Sequence, residues 1–143
     1  MNDNKKFDIE NFVFIPILEA GKNVFKQLNK FNCGEPLINE FIREQSKAKY
    51  YNEINQYHTT IVCYENEIIG YYTLRSWIVD IENEIQERIE KYPAIEISYL
   101  GVKKEYHNKN IGKNIIGYIL ELCKILNCEY CAVSYLIGWA LPG

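Results

Sequence analysis

The first pattern along this chain is a set of short segments rich in β-branched and aromatic residues, which favour strands. Five such segments predict five strands: residues 12–18, 59–64, 68–77, 94–102 and 130–135. The polar residues between the second and third segments predict a hairpin turn. Pro16 lies within the first segment, and because proline cannot donate a ladder hydrogen bond, it predicts an edge position or a bulge.

Segments with helical spacing of apolar residues separate these strands. A short helix and loop are predicted over residues 21–31, and a second helix is predicted from Pro36, a favourable first helical position, to about residue 50. The longest apolar stripe follows residue 110, and it consists of Ile111, Ile115, Ile116, Ile119, Leu122, Cys123 and Leu126. The order of elements predicts one α/β domain.

A further helix is predicted between the third and fourth strands. Ile81, Ile85 and Ile89 repeat every four residues among charged residues, which indicates a short helix on the surface. Pro93 would end it, because proline disfavours helical backbone in the residue before it.

Length and composition restrict the classes of protein. The 143 residues suffice for one domain, which we assign to residues 11–143, and the polar residues 1–10 predict a flexible N-terminus. The formal net charge of −3 argues against a protein that coats nucleic acid with a broad basic face. Residues 1–10 lack the apolar core of a signal peptide, and no apolar run approaches the roughly 18 residues of a membrane helix. We therefore expect a cytoplasmic protein without a membrane partner.

Cysteine and histidine usage gives little sign of a metal site. The five cysteines form an odd number without a secretion signal, which argues against a disulfide framework. Cys128 and Cys131 form a lone Cys-x-x-Cys, and a structural zinc would need two more ligands at compatible spacing. His58 and His107 do not supply them. We expect no metal, and we interpret the cysteines as small buried apolar residues.

The segment with the clearest chemistry is the strand–loop–helix of residues 100–114. The N-terminus of a helix has unpaired backbone N–H groups and a partial positive charge, so it can bind an anion. Gly112 lies in the first turn and leaves room for a phosphate, and Lys109 and Lys113 add positive charge. The structural alternative is also common, since a glycine near a helix start with exposed lysines needs no ligand.

This segment resembles the acetyl-CoA motif of the GNAT superfamily of N-acetyltransferases, in which Gln or Arg is followed by two residues, Gly, any residue, and Gly or Ala. The matching positions are His107, Asn110 and Gly112, and only Gly112 is identical. Asn110 is an acceptable replacement because asparagine tolerates left-handed backbone. The resemblance covers residues 12–135. It implies an α/β (α+β) fold with a mixed, mostly antiparallel sheet flanked by helices, and acetyl-CoA as co-substrate.

Three stretches resemble the branch that contains the acetyltransferase toxins of toxin–antitoxin pairs: residues 31–37, residues 69–74 and Pro93. This resemblance implies acetylation of the amino group of aminoacyl-tRNA, with tRNA and a cognate antitoxin as partners. Lys22, Lys26 and Lys30 form a modest basic face that suits tRNA, or a solvated helix surface. Two alternatives remain. The acceptor could be a small-molecule or protein amine, or the protein could be a non-catalytic coenzyme A-binding module.

The resemblance also assigns candidate site residues. The backbone of residues 100–102 would bind the pantetheine arm and the thioester, and the loop and first helical turn would bind the pyrophosphate. These cofactor-binding candidates are Leu100, Gly101, Val102, His107, Asn108, Lys109, Asn110, Ile111, Gly112 and Lys113.

Glu96 is the candidate general base. Its position relative to the motif matches the base glutamate of the histone acetyltransferase branch, and alternation along the strand would place it on one face with Ser98, Leu100 and Val102. Its structural alternative is a solvated carboxylate at a strand end. Tyr99 would point to the opposite face and into the core. Two further tyrosines would flank the substrate cleft or pack the hairpin, and they are Tyr71 and Tyr72.

The C-terminal end departs from the family pattern. The resemblance implies a further helix and a β-hairpin after the last predicted strand, and residues 136–143 match neither. We therefore expect coenzyme A binding with impaired turnover, or a fold completed by a homodimer, since an open strand edge favours pairing.

Overall fold

Five strands and four helices form the computed structural model, which describes residues 7–43 and 45–138. The strands are β1 (Phe12–Pro16), β2 (His58–Tyr64), β3 (Glu67–Asn83), β4 (Arg88–Val102) and β5 (Tyr135–Gly138). The helices are α1 (Lys22–Leu28), α2 (Pro36–Arg43), α3 (Gln45–Glu53) and α4 (Ile111–Glu129). Short 3-10 turns occupy Ile9–Asn11, Ile17–Glu19 and Lys104–Tyr106. These elements confirm the predicted α/β (α+β) fold.

The five strands form one sheet in the order β1-β2-β3-β4-β5. β1 to β4 pair antiparallel with their neighbours, and β5 pairs parallel with β4. The sheet is therefore mixed and mostly antiparallel, as the resemblance implied. Pro16 ends the outermost strand β1, which agrees with the edge position that a proline favours.

Helices cover both faces of the sheet and create two apolar cores. On one face, α1, α2 and α3 pack against Ile61, Cys63 and Tyr71, and on the other face α4 packs against Val62, Tyr64 and Tyr72. The Tyr71 hydroxyl donates a hydrogen bond of 2.6 Å to the carbonyl oxygen of Ile38 in the buried core. Tyr71 and Tyr72 therefore pack the core, the second of the two predicted alternatives.

The first described residues pack against the α4 side of the molecule. The ring of Phe7 is buried and makes edge-to-face contacts with Tyr64 and Tyr106, with ring centroids 5.0 Å and 5.5 Å apart. The predicted flexibility of residues 1–10 stays a prediction, and residues 1–6 lie outside the described residues. Within the described chain, no helix is long and apolar enough to cross a membrane.

The prediction of a surface helix around Ile81, Ile85 and Ile89 was wrong. β3 and β4 continue past the rest of the sheet as a two-stranded arm that pairs from Ile78 opposite Pro93 to its turn. Ile81 lies on β3, Ile89 lies on β4, and Ile85 lies at the tip with 96% of its surface exposed. Cross-strand pairing of alternating residues outweighs a four-residue repeat that has no helical face to bury.

One further element boundary differs from the predictions. The helix predicted from Pro36 to about residue 50 corresponds to α2 and α3, and residue 44 between them lies outside the described residues. The last strand starts at Tyr135 rather than Tyr130, because Tyr130 is the C-cap of α4 and its N–H bonds to Leu126. Residues 139–143, part of the C-terminal stretch without family pattern, lie outside the described residues.

Candidate active site

The C-terminal half of β4 has one open edge beside a cavity. β5 pairs with β4 only from Ala94 to Ile97 within the described residues, so residues 99–102 pair there with β3 alone. A cavity of about 660 Å³ lies along this edge between β4, β5, α2 and α4. Its lining is mostly apolar and includes Leu37, Ile38, Ile97, Leu100, Ile116 and Leu136. An extended ligand could pair with the open edge as an added strand would.

Residues 107–113, here called the anion loop, follow the same strand. Asn108 and Asn110 adopt left-handed backbone, with φ of 63° and 61°. Asn110 therefore adopts the conformation that asparagine was expected to tolerate at this position. Asn110 is the N-cap of α4, and its side chain makes no capping hydrogen bond within the described chain. The first helical hydrogen bond runs from the Asn114 N–H to Asn110, so the N–H groups of residues 111–113 have no intrahelical acceptor.

A small depression of about 320 Å³ lies at this helix N-terminus. Val102, His107, Asn108, Asn110 and Gly112 contribute to its lining, so the structure brings most of the predicted cofactor residues together. Lys113 is exposed nearby, and the Lys109 ammonium lies 6.0 Å from the centre of the Phe7 ring. Nε2 of His107 lies 2.8 Å from the Val102 carbonyl, and because a carbonyl only accepts, Nε2 carries the proton. The ring therefore ties the loop to the end of β4.

Two positions of the predicted site, 112 and 101, are occupied by glycine for different structural reasons. A Cβ atom on Gly112 would come no closer than 3.9 Å to a described atom, the Cγ2 of Val102. Protein packing therefore does not require glycine there, which favours a ligand as the reason. A Cβ atom on Gly101 would lie 2.8 Å from the Cγ2 of Ile38, so glycine is needed for α2 to pack on the sheet.

Four contacts fix the segment that leads into the anion loop. The backbone N–H groups of Lys103 and Lys104 donate to the carbonyls of Ile69 and Asn32, at 2.8 Å and 2.9 Å. The Tyr106 hydroxyl donates to Glu67 at 2.5 Å, and the Lys103 ammonium lies 3.4 Å from the same carboxylate. The hydrogen bond from Tyr106 holds the pKa of Glu67 below its usual value, and burial raises the pKa of Tyr106.

A β-bulge changes the predicted position of Glu96. Thr73 pairs with Tyr99 and the next β3 residue pairs with Ile97, so Ser98 is an extra residue on β4. The prediction that Glu96 shares a face with Leu100 was therefore wrong. Leu100 packs on the α4 side, whereas Glu96 pairs with Arg75 on the side of α2 and α3. A one-residue shift reverses which face each later side chain occupies.

Glu96 is the buried member of a group of polar side chains, here called the glutamate network, which consists of Tyr57, Arg75, Glu96 and Ser98. Glu96 is 3% exposed. Arg75 donates to both carboxylate oxygens, at 2.8 Å and 3.4 Å, and the Ser98 hydroxyl donates to Oε1 at 2.7 Å. The predicted alternative of a solvated carboxylate at a strand end was therefore wrong.

Arg75 connects the network to a second cavity. Its guanidinium donates to the Tyr57 hydroxyl at 3.1 Å, and its carbon lies 4.3 Å from the Trp77 ring centre. The hydrogen bond to Glu96 raises the pKa of Arg75 further. Arg75, Tyr57 and His58 line a polar cavity of about 280 Å³. The guanidinium thus keeps contact with solvent while it neutralises the buried carboxylate.

Sequence reasoning missed Arg75 and the role of Ser98. The register that places Arg75 opposite Glu96 depends on the bulge, which has no local sequence signal here. A search for opposite charges on the third and fourth predicted strands would have suggested the pair. Tyr99 stacks on Phe41, with ring centroids 4.0 Å apart, and also lines the larger cavity, so it is not only a core residue.

The cysteines divide into two groups. Cys33, Cys63 and Cys123 are buried, and burial raises the pKa of each thiol. Cys128 and Cys131 are exposed, so the interpretation of all five as buried residues was wrong for these two. In residues 7–43 and 45–138, no group of three histidine, cysteine or acidic side chains is arranged to hold a metal ion.

Comparison with solved structures shows the same fold in bacterial toxins. A tyrosine-to-phenylalanine mutant of the toxin AtaT superposes with a TM-score of 0.74 at 16% identity, covering 98% of this chain and 81% of that one. The corresponding values for a mutant of KacT are 0.74, 16%, 92% and 79%. For AtaT complexed with acetyl-methionyl-tRNAfMet they are 0.70, 15%, 92% and 79%. AtaT has also been solved with acetyl-CoA and the C-terminus of the antitoxin AtaR.

Comparison with sequences gives the family. The chain has no significant match among curated proteins. The model of the acetyltransferase (GNAT) family, however, matches residues 27–136, which include the anion loop, the glutamate network and most of the sheet. The chain therefore belongs to the GNAT family of N-acetyltransferases.

Proposed function

We propose that this protein transfers the acetyl group of acetyl-CoA to the amino group of an aminoacyl-tRNA. The observation that carries the proposal is the continuity of the open β4 edge, the 660 Å³ cavity and the uncapped N-terminus of α4. An extended arm with a diphosphate at one end needs this arrangement, since its amides pair with a strand edge and its phosphates bind helix N–H groups.

The residues of the site fit the parts of acetyl-CoA. The backbone of Leu100, Gly101 and Val102 would hold the pantetheine arm, and the anion loop would hold the pyrophosphate. Within the loop, the N–H groups of residues 108–113 and the charges of Lys109 and Lys113 would bind the phosphate oxygens. Bound there, acetyl-CoA supplies an acetyl group that is already activated as a thioester.

The protein contributes positioning and proton transfer. A backbone N–H group at the bulge would stabilise the charge that develops on the thioester oxygen. An ammonium group must lose a proton before it attacks, and Glu96 is the proposed acceptor of that proton. The glutamate network borders the cavity through Ser98, which agrees with this role.

The fold of the comparison proteins favours aminoacyl-tRNA as the acceptor. AtaT shares the fold and has been solved with acetyl-methionyl-tRNAfMet. Lys22, Lys26 and Lys30 are exposed on and beside α1, where they could contact phosphates. The proposal includes action in the cytoplasm, control by an antitoxin, and a homodimer. The antitoxin is proposed by analogy with AtaT and AtaR.

Two measurements test the proposal. Titration calorimetry with acetyl-CoA should show saturable binding, and mass spectrometry should show acetylation of methionyl-tRNAfMet. Absence of acetyl-CoA binding would reject the whole proposal. Binding with acetylation of polyamines or lysine peptides, and none of the tRNA, would support a small-molecule or protein acceptor. Binding without acetylation of any of these amines would indicate a coenzyme A-binding module.

A further inference from the structure

Glu96 has no surface of its own on the cavity where acetyl transfer would occur. Its carboxylate is buried against Arg75, and it does not line the cavity along β4. Ser98 does line that cavity, because the bulge places an extra residue at the wall. The hydroxyl of Ser98 therefore stands between the cavity and the carboxylate, 2.7 Å from Oε1 of Glu96.

We infer that Ser98 passes the proton of the acceptor amine to Glu96. The inference rests on the proposed function. One proton leaves the acceptor ammonium for the Oγ atom of Ser98, while the original hydroxyl proton moves to Oε1 of Glu96. The neutral amine nitrogen then bonds to the acetyl carbon, the carbon–sulfur bond breaks, and sulfur keeps the electron pair. The second proton that the nitrogen loses passes to this sulfur, so that the products are the amide and the free thiol of coenzyme A. The proton on Glu96 returns to water through Ser98 after the products leave.

Arg75 makes this change of charge tolerable. Neutralising a buried carboxylate usually leaves its cationic partner without compensation, which is costly. The Arg75 side chain is 30% exposed, bonds to the Tyr57 hydroxyl and lines the polar cavity of about 280 Å³. Its charge can therefore be solvated from that side while Glu96 is protonated. A buried carboxylate can accept a proton from the cavity when a hydroxyl connects the two and its arginine partner can be solvated. Ser98 and Arg75 meet these two conditions.

The simpler explanation is that Ser98 only completes the hydrogen bonding of a structural ion pair. The two explanations differ in how Ser98 and Glu96 combine. In a relay, both residues serve the same proton, so removing the second after the first has little further effect on turnover. In a structural ion pair, removing either side chain lowers the stability of the protein, and the molecules that remain folded keep their kcat.

The experiment is a double-mutant cycle with Ser98→Ala and Glu96→Gln, assayed with acetyl-CoA and methionyl-tRNAfMet. We expect each variant to lower kcat by about 100-fold, the double variant to be no slower than either, and the acetyl-CoA Kd to stay within about twofold. Ser98→Thr, which keeps a hydroxyl, should retain most of the activity. Ser134→Ala, at an exposed serine before β5, is the matched control and should keep the activity of the unsubstituted protein.

A measurement without turnover accompanies the cycle. In the free protein, ¹³C NMR of the Glu96 carboxyl carbon should show a higher pKa in Ser98→Ala, because the ionised form loses a hydrogen-bond donor. Unchanged kcat in folded Ser98→Ala, or multiplying losses in the double variant, would overturn the relay while acetyl transfer itself stands. An unsubstituted protein that binds acetyl-CoA and leaves methionyl-tRNAfMet unmodified would instead contradict the proposed function, and the relay would fall with it.

Discussion

The anion loop and the glutamate network lie near opposite ends of the C-terminal half of β4. They differ in whether their polar groups have hydrogen-bond partners. At the anion loop, backbone N–H groups in the first turn of α4 have no intrahelical acceptor and no side-chain cap within the described residues. In the glutamate network, Arg75 and Ser98 satisfy the carboxylate of Glu96. In residues 7–43 and 45–138, no buried side-chain nitrogen or oxygen lacks a partner.

This difference separates binding from stability. Unpaired N–H groups at a helix end gain energy when an anion arrives, so substitutions in the anion loop should change ligand affinity more than folding. A satisfied buried ion pair contributes little net energy, but removing one partner is costly. Substitutions in the glutamate network should therefore act on stability as well as on chemistry. The following predictions test that separation.

The largest effect is expected from a negative charge in the anion loop. Gly112→Asp places a carboxylate where the phosphates would bind, so we expect the acetyl-CoA Kd to rise by at least about 100-fold. The matched control is Gly117→Asp on the same helix, where an added Cβ atom meets nothing within 4 Å. Calorimetry with both variants measures the effect. Equal affinities would show that α4 does not bind the phosphates.

The next effect is expected in the glutamate network and concerns stability. Arg75→Ala removes an ion pair and two hydrogen bonds from the buried Glu96, so we expect a loss of about 2 kcal/mol in the free energy of unfolding. This expected loss is smaller than the usual cost of breaking a buried ion pair, because Arg75 is partly exposed. Urea denaturation measures it, and Arg75→Ala combined with Glu96→Gln should recover part of the loss. No recovery would indicate that Arg75 stabilises the protein through Tyr57 and Trp77 instead.

Two glycines of the predicted cofactor site, Gly101 and Gly112, provide a third test. Gly101→Ala forces a methyl group to 2.8 Å from Ile38, so we expect destabilisation by about 1–2 kcal/mol. Gly112→Ala meets no described atom closer than 3.9 Å, so its melting temperature should stay unchanged or rise slightly. Its acetyl-CoA affinity should fall instead. Calorimetry and thermal denaturation of the same two variants separate the outcomes, and the reverse pattern would contradict the assigned roles.

The anion loop could be predicted from sequence because its physics is local. A buried strand, a polar loop and a glycine in the first helical turn lie within residues 100–114, and backbone geometry follows from those residues alone. Asn110 was expected to tolerate left-handed backbone in place of the glycine of the family motif, and the structure has it in that conformation. The packing role of Gly101 was not, since it depends on Ile38 from another element.

The glutamate network could not be predicted to the same depth because its geometry depends on a strand pairing. Glu96 was identified as a candidate, but the bulge at Ser98 moves it to the opposite face from Leu100. The pairing of β3 with β4, in which Arg75 lies opposite Glu96, was not predicted, because the isoleucine repeat predicted a helix between the two strands. Periodicity over so few residues does not distinguish a helix from a hairpin whose two strands carry the repeat.

The smallest effect is expected at the contact that fixes the anion loop from outside. Because the hydrogen bond from Tyr106 holds the pKa of Glu67 below its usual value, its contribution is present at neutral pH and is lost as pH falls through the lowered pKa. Glu67 is exposed, so Tyr106→Phe should weaken acetyl-CoA binding only about twofold at neutral pH. The same substitution should have no effect in a Glu67→Ala background, where the side-chain acceptor is already absent. Calorimetry on the four proteins of this cycle measures the coupling. Equal weakening in both backgrounds would mean that the Tyr106 hydroxyl supports the loop through a group other than Glu67, because Tyr106→Phe keeps the ring that contacts Phe7.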